Sequence, residues 1–407
     1  MNESIKLHEE NRGKLTVKSR VRIQNKEDLS LAYTPGVADV CKEIKKNKDR
    51  VYDLTNKWNY VAIVSDGSAV LGLGNIGPEA GLPVMEGKAV LFKEFGNVDA
   101  FPLCINNQDP EEIINFVEMI EPTFGGINLE DICAPKCFYI EKTLKEKLNI
   151  PVFHDDQHGA AIIILAALKN ALKFTNKNLD DLKVVSIGIG AAGGATIKML
   201  QAAGIKNIVA VDKNGIINKN DPKTLLNDFH KEISESTNPE NLSGGLGEAL
   251  VNADVFIGTS VGGLLTKDMV KKMNKDPIIF AAANPVPEIY PEDAKKAGAK
   301  IVATGRSDFP NQINNVLVFP GLFRGALDVR ASDINDEMKL AAVDALARMV
   351  PESELTVDKI IPAPFDRDVG YNIAFEVAKA AVRSGVARLP LTDEEISQKI
   401  KKSFEIL

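Results

Sequence analysis

Apolar and polar positions along the chain follow a strand–helix rhythm rather than a run of hairpins. Residues 60–64, YVAIV, read as a strand, and 100–105 as another. Two further short apolar stretches, 124–129 and 151–153, flank a helix-like segment at 135–148. That order favours two neighbouring parallel strands joined by a right-handed crossover. The longest apolar pattern follows at 159–172, GAAIIILAALKNAL, and predicts a helix running to about residue 174. Polar residues 175–181, TNKNLDD, read as a linker between two sheet systems. Beyond them strands recur at 184–187, 207–211, 253–258, 277–282 and 300–303, with helical patterns at 333–347, 372–383 and 393–404. The pattern predicts an α/β protein: an N-terminal α/β domain over 1–158, a Rossmann-type doubly wound domain over 159–380, and a C-terminal helical segment over 381–407. The first 28 residues are polar, with little periodic core signal.

Composition narrows the class. A chain of 407 residues exceeds what one core usually serves, and 44% hydrophobic with 26% charged residues is ordinary for a globular protein. A net charge of −7 argues against a general nucleic-acid binder, which needs a basic face. The N-terminus lacks the apolar core of a secretory signal, and the most apolar run, 160–168, is too short to span a bilayer. Four cysteines, Cys41, Cys104, Cys133 and Cys137, make no disulfide framework, and no metal-spaced partners accompany the last two. A reducing, cytoplasmic setting fits, with no membrane and no nucleic acid as partners.

The chemistry gathers at the predicted strand ends. Glu130–Asp131 follows one apolar segment, and Asp155–Asp156 follows the next. On adjacent parallel strands, roughly 4.8 Å apart, both acid pairs reach the carboxyl edge where open α/β sheets bind ligands. So many carboxylates cannot all ionise there without a cation, and oxygen donors suit Mg²⁺ or Mn²⁺. The alternative reading has Asp131 and Asp155 only cap the helices that follow. Residues 65–87 carry six glycines, which suggests several tight turns, and no P-loop. Lys88 leaves that stretch toward apolar neighbours, a candidate for a lowered pKa and proton transfer, or else a surface lysine with its stem buried. Tyr33 precedes Thr34-Pro35-Gly36, which sets it at a turn, either functional or packed with a wet hydroxyl.

Strand 184–187 runs into Gly188-x-Gly190-x-x-Gly193, a helix follows, and strand 207–211 ends in Asp212. This is a dinucleotide fingerprint in its expected context. The glycines allow the turn, the approach of the pyrophosphate and close helix packing, with Ala191 and Ala192 opening the helix whose amides bind phosphate. Asp212 on a ribose 2′-hydroxyl favours NAD, while Lys213 beside it leaves NADP open. Later strands end in Thr259-Ser260, Asn284-Pro285 and Thr304-Gly305, and Asn311 to Asn315 read as turn or capping residues.

Together, Tyr33-Thr-Pro-Gly-Val, Ser65-Asp-Gly with Leu71-Gly-Leu-Gly74, Met85-Glu-Gly-Lys88, Asn128-Leu-Glu130-Asp131, Phe153-His-Asp155-Asp156, Asn284-Pro285 and 314–321, NNVLVFPG, resemble malic enzymes, the short bacterial type in particular. The resemblance implies oxidative decarboxylation of L-malate to pyruvate and CO₂ with NAD(P)⁺ and a divalent metal, by a homodimer. It implies Glu130, Asp131 and Asp156 as metal ligands, Lys88 as general base, Tyr33 as general acid and Asp155 as the partner of Lys88. Asn284 and Asn315 would hold substrate, and Gly188, Gly190, Ala191, Ala192, Gly193, Asp212, Thr259, Ser260 and Asn284 the cofactor. It makes the N-terminal domain the substrate and metal domain. Malate oxidation needs its hydroxyl deprotonated, and the enol left after loss of CO₂ needs a proton at C3, which a tyrosine can donate at neutral pH. One departure stands out: the large eukaryotic type has an arginine two positions after this Asp-Gly, where Ser68-Ala69 follow Gly67 here. Ser68 or a backbone contact must replace that grip on substrate. Three rival readings use part of this equipment: a metal-dependent oxaloacetate decarboxylase, a non-catalytic nucleotide sensor, and an oxidative decarboxylase of another β-hydroxyacid.

Overall fold

The computed structural model describes residues 2–366 and 368–405. Two sheets carry the molecule. The first has four parallel strands, β1 (Tyr60–Ser65), β2 (Asp99–Cys104), β3 (Gly126–Leu129) and β4 (Val152–His154), in the order β2-β1-β3-β4. The second has six, β5 (Lys183–Ile187), β6 (Asn207–Asp212), β7 (Gly215–Ile216), β8 (Val255–Gly258), β9 (Ile278–Ala281) and β10 (Ile301–Thr304), in the order β10-β9-β8-β5-β6-β7. All its pairings are parallel except the short β6–β7 hairpin, which the apolar pattern does not foreshadow. The α/β class and the Rossmann-type sheet are therefore as the pattern predicts.

Strand faces explain the layering. In β5, Val184 faces one core while Val185 and Ile187 face another, the period of two expected when helices cover both sides of a parallel sheet. In β1, Val61 and Ile63 face the shared interior, and Ala62 and Val64 face the core under the helices Pro110–Ile120 and Lys136–Lys147. The helix Asp155–Thr175 runs through that shared interior. It is apolar on nearly every side from Ala161 to Leu172 and buried accordingly, as a helix between two layers must be. The helix Phe319–Asp328 packs back on the helix Pro78–Gly96, with Phe92 ring centroids 4.7 Å from Phe319 and 5.3 Å from Phe323. Such aromatic pairs contribute about 0.5–1.5 kcal/mol beyond burial. Ile396 and Ile400 of the last helix complete the same core.

Two local expectations change. The helix after β4 begins at Asp155 rather than past it, so strand meets helix with no loop between. And residues 78–87, read as glycine-rich turns, are helical: Pro78 opens a helix that runs unbroken to Gly96, with Pro83 inside it. Pro78 fits the first turn, where no N–H partner is lost, and apolar burial of Met85, Ala89 and Phe92 outweighs the low helix propensity of Gly81 and Gly87.

Candidate active site

Register places the acids. Leu129 of β3 pairs with His154 of β4, so Glu130 and Asp155 leave the sheet side by side at its carboxyl edge. Neither Asp131 nor Asp155 caps a helix. The N-cap positions are Pro135 and His154, neither with a side-chain cap bond, which removes the capping alternative. Asp131 takes a left-handed backbone (φ 53°), unusual for a non-glycine residue and of the kind found at functional sites. Its N–H donates to Asp156 Oδ2 at 2.7 Å, joining the two acid pairs.

Lys88 comes from the helix Pro78–Gly96 and is buried, its Nζ donating to Glu130 Oε1 at 2.9 Å and also to Asp155 Oδ2. The ammonium lies 3.9 Å from the centroid of the Phe319 ring. Asn128 Nδ2 holds the other Glu130 oxygen at 2.8 Å, and Asn315 Nδ2 reaches Asp155 Oδ2 at 3.0 Å. Asp155 is sealed from solvent, and a Cβ on Gly159 would fall 2.1 Å from its Oδ1, so only glycine leaves room for this carboxylate. Asn128 and Phe319 lie within the motifs 128–131 and 314–321, but no local pattern gives either of them, or Gly159, a role in the site. Gly159 follows Asp155 by one helical turn, a spacing that is the available signal of the close approach.

The electrostatics follow from burial. Desolvation alone would lower the Lys88 pKa, as its sequence context suggests, but the Asp155 and Glu130 carboxylates outweigh it and hold the ammonium above its ordinary value. The lowered pKa expected for Lys88 is thus reversed in this arrangement. Burial, reinforced by Asp156 and Asp155 against the pull of Lys88, drives the Glu130 carboxyl well upward. Asp131 is pushed up to about 8, by burial first and then by Asp156.

These residues fit a hard divalent cation. Every donor is a carboxylate oxygen, and the buried Asp131 Oδ2 and Asp155 Oδ1 have no hydrogen-bond partner. Among the described residues no three His, Cys, Asp or Glu side chains already meet in the arrangement of a bound ion. The Lys88 ammonium instead supplies the positive charge between Glu130 and Asp155. A cation held by Glu130, Asp131 and Asp156 must displace the protons that the raised Asp131 and Glu130 carboxyls carry. Mn²⁺ affinity is therefore expected to rise with pH, up to about tenfold per pH unit for each proton displaced, with the Asp131 contribution levelling off above pH ~8. A Mn²⁺ titration followed by electron paramagnetic resonance checks this, and a flat profile from about pH 6 to 9 would count against the assignment.

The second sheet presents its own carboxyl edge. Gly188 has φ +93°, and a Cβ there would meet the Thr259 carbonyl at 2.7 Å. A Cβ on Gly193 would lie 1.7 Å from the Gly188 carbonyl oxygen, whereas one on Gly190 would meet nothing within 4 Å, leaving that backbone open to a ligand. The helix Ala191–Ala202 begins at Gly190 with no side-chain cap, so its first amides are available to phosphate. Asp212 ends β6 with its Oδ2 3.4 Å from His230 Nε2, and Lys213 is exposed to solvent. The Thr259 hydroxyl faces the Ile187 and Gly188 carbonyls, and the Ser260 N–H donates to Glu288 Oε1 at 3.0 Å. Glu288 is sealed and also accepts from the Ala283 N–H, so it braces the loops after β8 and β9; no sequence pattern marks it.

Segments that follow β9 and β10 reach the first sheet's side of the molecule. Asn315 bonds to Asp155, and Asn284 has its carbonyl against Gly72 and its amide against Gly305. Ser68 is committed elsewhere: its hydroxyl donates to Asp66 Oδ1 at 2.6 Å and accepts from the Cys133 N–H. Tyr33 does not join the buried cluster. It ends the helix Lys26–Ala32 with 66% of its surface exposed.

Residues 10–115 match the family description "Malic enzyme, N-terminal domain" and residues 157–382 "Malic enzyme, NAD binding domain". The chain is 58% identical over 400 residues to a protein of Bacillus subtilis named bifunctional malic/malolactic enzyme, covering 98% of this chain and 97% of that one. It is 57% identical to an NAD-dependent malic enzyme of Geobacillus stearothermophilus, covering 92% of this chain and 78% of the relative. The crystal structure of a malic enzyme from Pyrococcus horikoshii superposes with a TM-score of 0.95 at 49% identity, over 99% of this chain and 95% of that one. Two family models that together cover most of the chain, and 57–58% identity over more than nine-tenths of its length, place the chain in the malic enzyme family.

Proposed function

We propose that the chain oxidatively decarboxylates L-malate to pyruvate and CO₂ while reducing NAD⁺, with NADP⁺ as the alternative acceptor. The observation that carries this is the Lys88–Glu130–Asp155 cluster, bonded through Asp155 to Asn315 in the segment that follows the last strand of the glycine-turn sheet. A divalent cation at Glu130, Asp131 and Asp156 would polarise the substrate oxygen, and the nicotinamide would accept hydride from C2. Lys88 takes the C2 hydroxyl proton. It does so as the neutral amine: a divalent cation at Glu130, Asp131 and Asp156 would add positive charge beside the ammonium and favour loss of its proton to solvent before the hydroxyl gives up its own. Asp155, oriented by Asn315, keeps the lysine in place. Asn284 and Asn315 bind the carboxylates, and Asn284 meets the cofactor as well. Gly188, Gly190, Ala191, Ala192 and Gly193 cradle the pyrophosphate, Asp212 the adenosine ribose, and Thr259 and Ser260 the wall beside it.

Tyr33 is assigned as the acid that protonates C3, and it reaches the site from a second copy of the chain. Arg20 pairs with Asp99 at the amino end of β2, at 2.9 Å, and Asp53 pairs with Arg330 just before β1. The intervening helices thus leave and re-enter at the sheet edge opposite the acids, about 20 Å away along β1. They also expose Leu29, Leu31 and Val40 beside Tyr33, apolar surface that a homodimer would cover. Among the described residues no helix is long and apolar enough to cross a membrane. We place the enzyme in the cytoplasm.

The deciding assay follows reduced-nicotinamide absorbance with L-malate and Mn²⁺ for each cofactor, with product identification. Reduction accompanied by pyruvate supports the proposal; reduction leaving stable oxaloacetate would indicate a plain dehydrogenase. No reduction would favour the lyase or the sensor. The name of the Bacillus relative favours one second reading, conversion of malate to lactate and CO₂ with no net reduction of cofactor. Lactate formed without an absorbance change would identify it.

A further inference from the structure

Beyond the residues given roles so far, one buried acid has no part in the chemistry above. Glu141 lies in the helix Lys136–Lys147, the crossover between β3 and β4, and is 6% exposed. Its Oε1 accepts the His154 N–H at 3.1 Å, and its Oε2 accepts from Gln157 Nε2 at 3.1 Å. His158 Nε2 lies between both oxygens, 2.9 Å from each. All three donors belong to the run 154–158, and they bracket the Asp155–Asp156 pair from both sides. We propose that Glu141 is the positioning residue of the cation centre, a single carboxylate that clamps the strand-to-helix junction and so fixes where Asp155 and Asp156 point. The inference rests on the reading of Glu130, Asp131 and Asp156 as cation ligands.

The junction needs such a clamp. β4 ends at His154 and the helix begins at Asp155, so the chain turns sharply with no loop to absorb error. His154 provides no side-chain cap; its ring nitrogens are buried without a hydrogen-bond partner, and Nε2 comes no closer to Asp156 Oδ2 than 3.8 Å, so the ring holds the turn only by a long contact. The first amides of the helix are intrinsically unmet. A binding constellation loses effectiveness when its members stray by about 0.5 Å or 10–20°. The Asp131 N–H to Asp156 Oδ2 bond, at 2.7 Å, depends on the orientation of that first turn.

Glu141→Gln tests the clamp. It keeps side-chain volume and turns an amide NH₂ toward donors that need acceptors. The Mn²⁺ dissociation constant of the metal-free protein, read by electron paramagnetic resonance, should rise about ten- to a hundredfold. NADH binding, read by fluorescence, should not change, and saturating Mn²⁺ should restore kcat. Two comparisons separate the possibilities. Asp156→Asn must itself weaken Mn²⁺ binding; if it does not, the reading of the cation centre fails. Asn170→Ala removes a buried amide in the same helix as Asp155 and Asp156, one bonded to the Ala347 and Ile360 carbonyls. It should lower thermal stability without moving Mn²⁺ affinity. Wild-type Mn²⁺ affinity in Glu141→Gln, alongside weakened Asp156→Asn, overturns the proposal. So does an affinity loss in Asn170→Ala as large as that in Glu141→Gln. Should Glu141→Gln fail to fold, Gln157→Leu removes one bond of the clamp. A folded Gln157→Leu protein is then expected to bind Mn²⁺ at least about threefold more weakly, and unchanged binding again overturns the claim.

Discussion

Replacing Lys88 by alanine is expected to lower kcat/KM for malate oxidation by about 10³- to 10⁴-fold, the scale of general acid–base catalysis combined with loss of an oriented charge. The reason is local. Lys88 is the cation that Glu130 and Asp155 share; the Phe319 ring lies against it, and Asn315 fixes its partner Asp155. In the proposed mechanism its proton transfer belongs to the hydroxyl of malate, so the variant should retain far more of its activity toward oxaloacetate, whose decarboxylation needs no proton removed from C2. Comparing the two substrates therefore separates a lost base from a collapsed site. Removing one partner of a buried charge group also costs about 3–5 kcal/mol. Mn²⁺ should accordingly raise the melting temperature of Lys88→Ala more than that of the wild type, because Glu130 and Asp155 then lack their counter-charge. Equal losses on malate and oxaloacetate would argue that Lys88 only holds the acids in place.

The second large effect concerns Tyr33. Tyr33→Phe alone should reduce turnover by about 10²-fold or more, since under the proposed assignment it deletes the proton that C3 receives. The more telling result comes from mixing. If Tyr33 enters the site of a second copy, an inactive Tyr33→Phe chain and an inactive Lys88→Ala chain form a heterodimer with one intact site. Equal mixing after subunit exchange makes half of the dimers hybrid, so recovery should approach about one quarter of wild-type activity for a two-fold symmetric dimer. A tyrosine acting within its own chain gives no recovery at all. Native mass spectrometry of the mixture, with one chain isotope-labelled, establishes whether exchange has occurred. The exposure of Tyr33 at 66%, next to Leu31 at 74%, is the physical basis for expecting recovery.

Much of this architecture is legible in the residue order. The strand–helix rhythm identifies a parallel α/β architecture because period-two and near-continuous apolar runs have few other uses. Two acid pairs, each after a short apolar strand on either side of a helical crossover, have to emerge side by side, and the pairing of Leu129 with His154 makes it so. The glycine spacing carries its own geometry, since only glycine tolerates the approach of Gly193 to the Gly188 carbonyl. The helical span from Pro78 is hidden, because Gly81, Pro83 and Gly87 locally favour turns and only packing of Met85 and Phe92 against the distant Phe319 helix overrides them.

By itself, then, the order of residues determined the fold class, the cofactor turn and which carboxylates share a sheet edge, all consequences of short-range periodicity and strand adjacency. Tertiary structure alone decided the protonation of Lys88, raised by two acids 42 and 67 residues away in sequence. It also decided the exposure of Tyr33 and the bracing by Glu141 and Glu288. Charge coupling and burial depend on distances between segments far apart in the chain, and no local pattern encodes those distances.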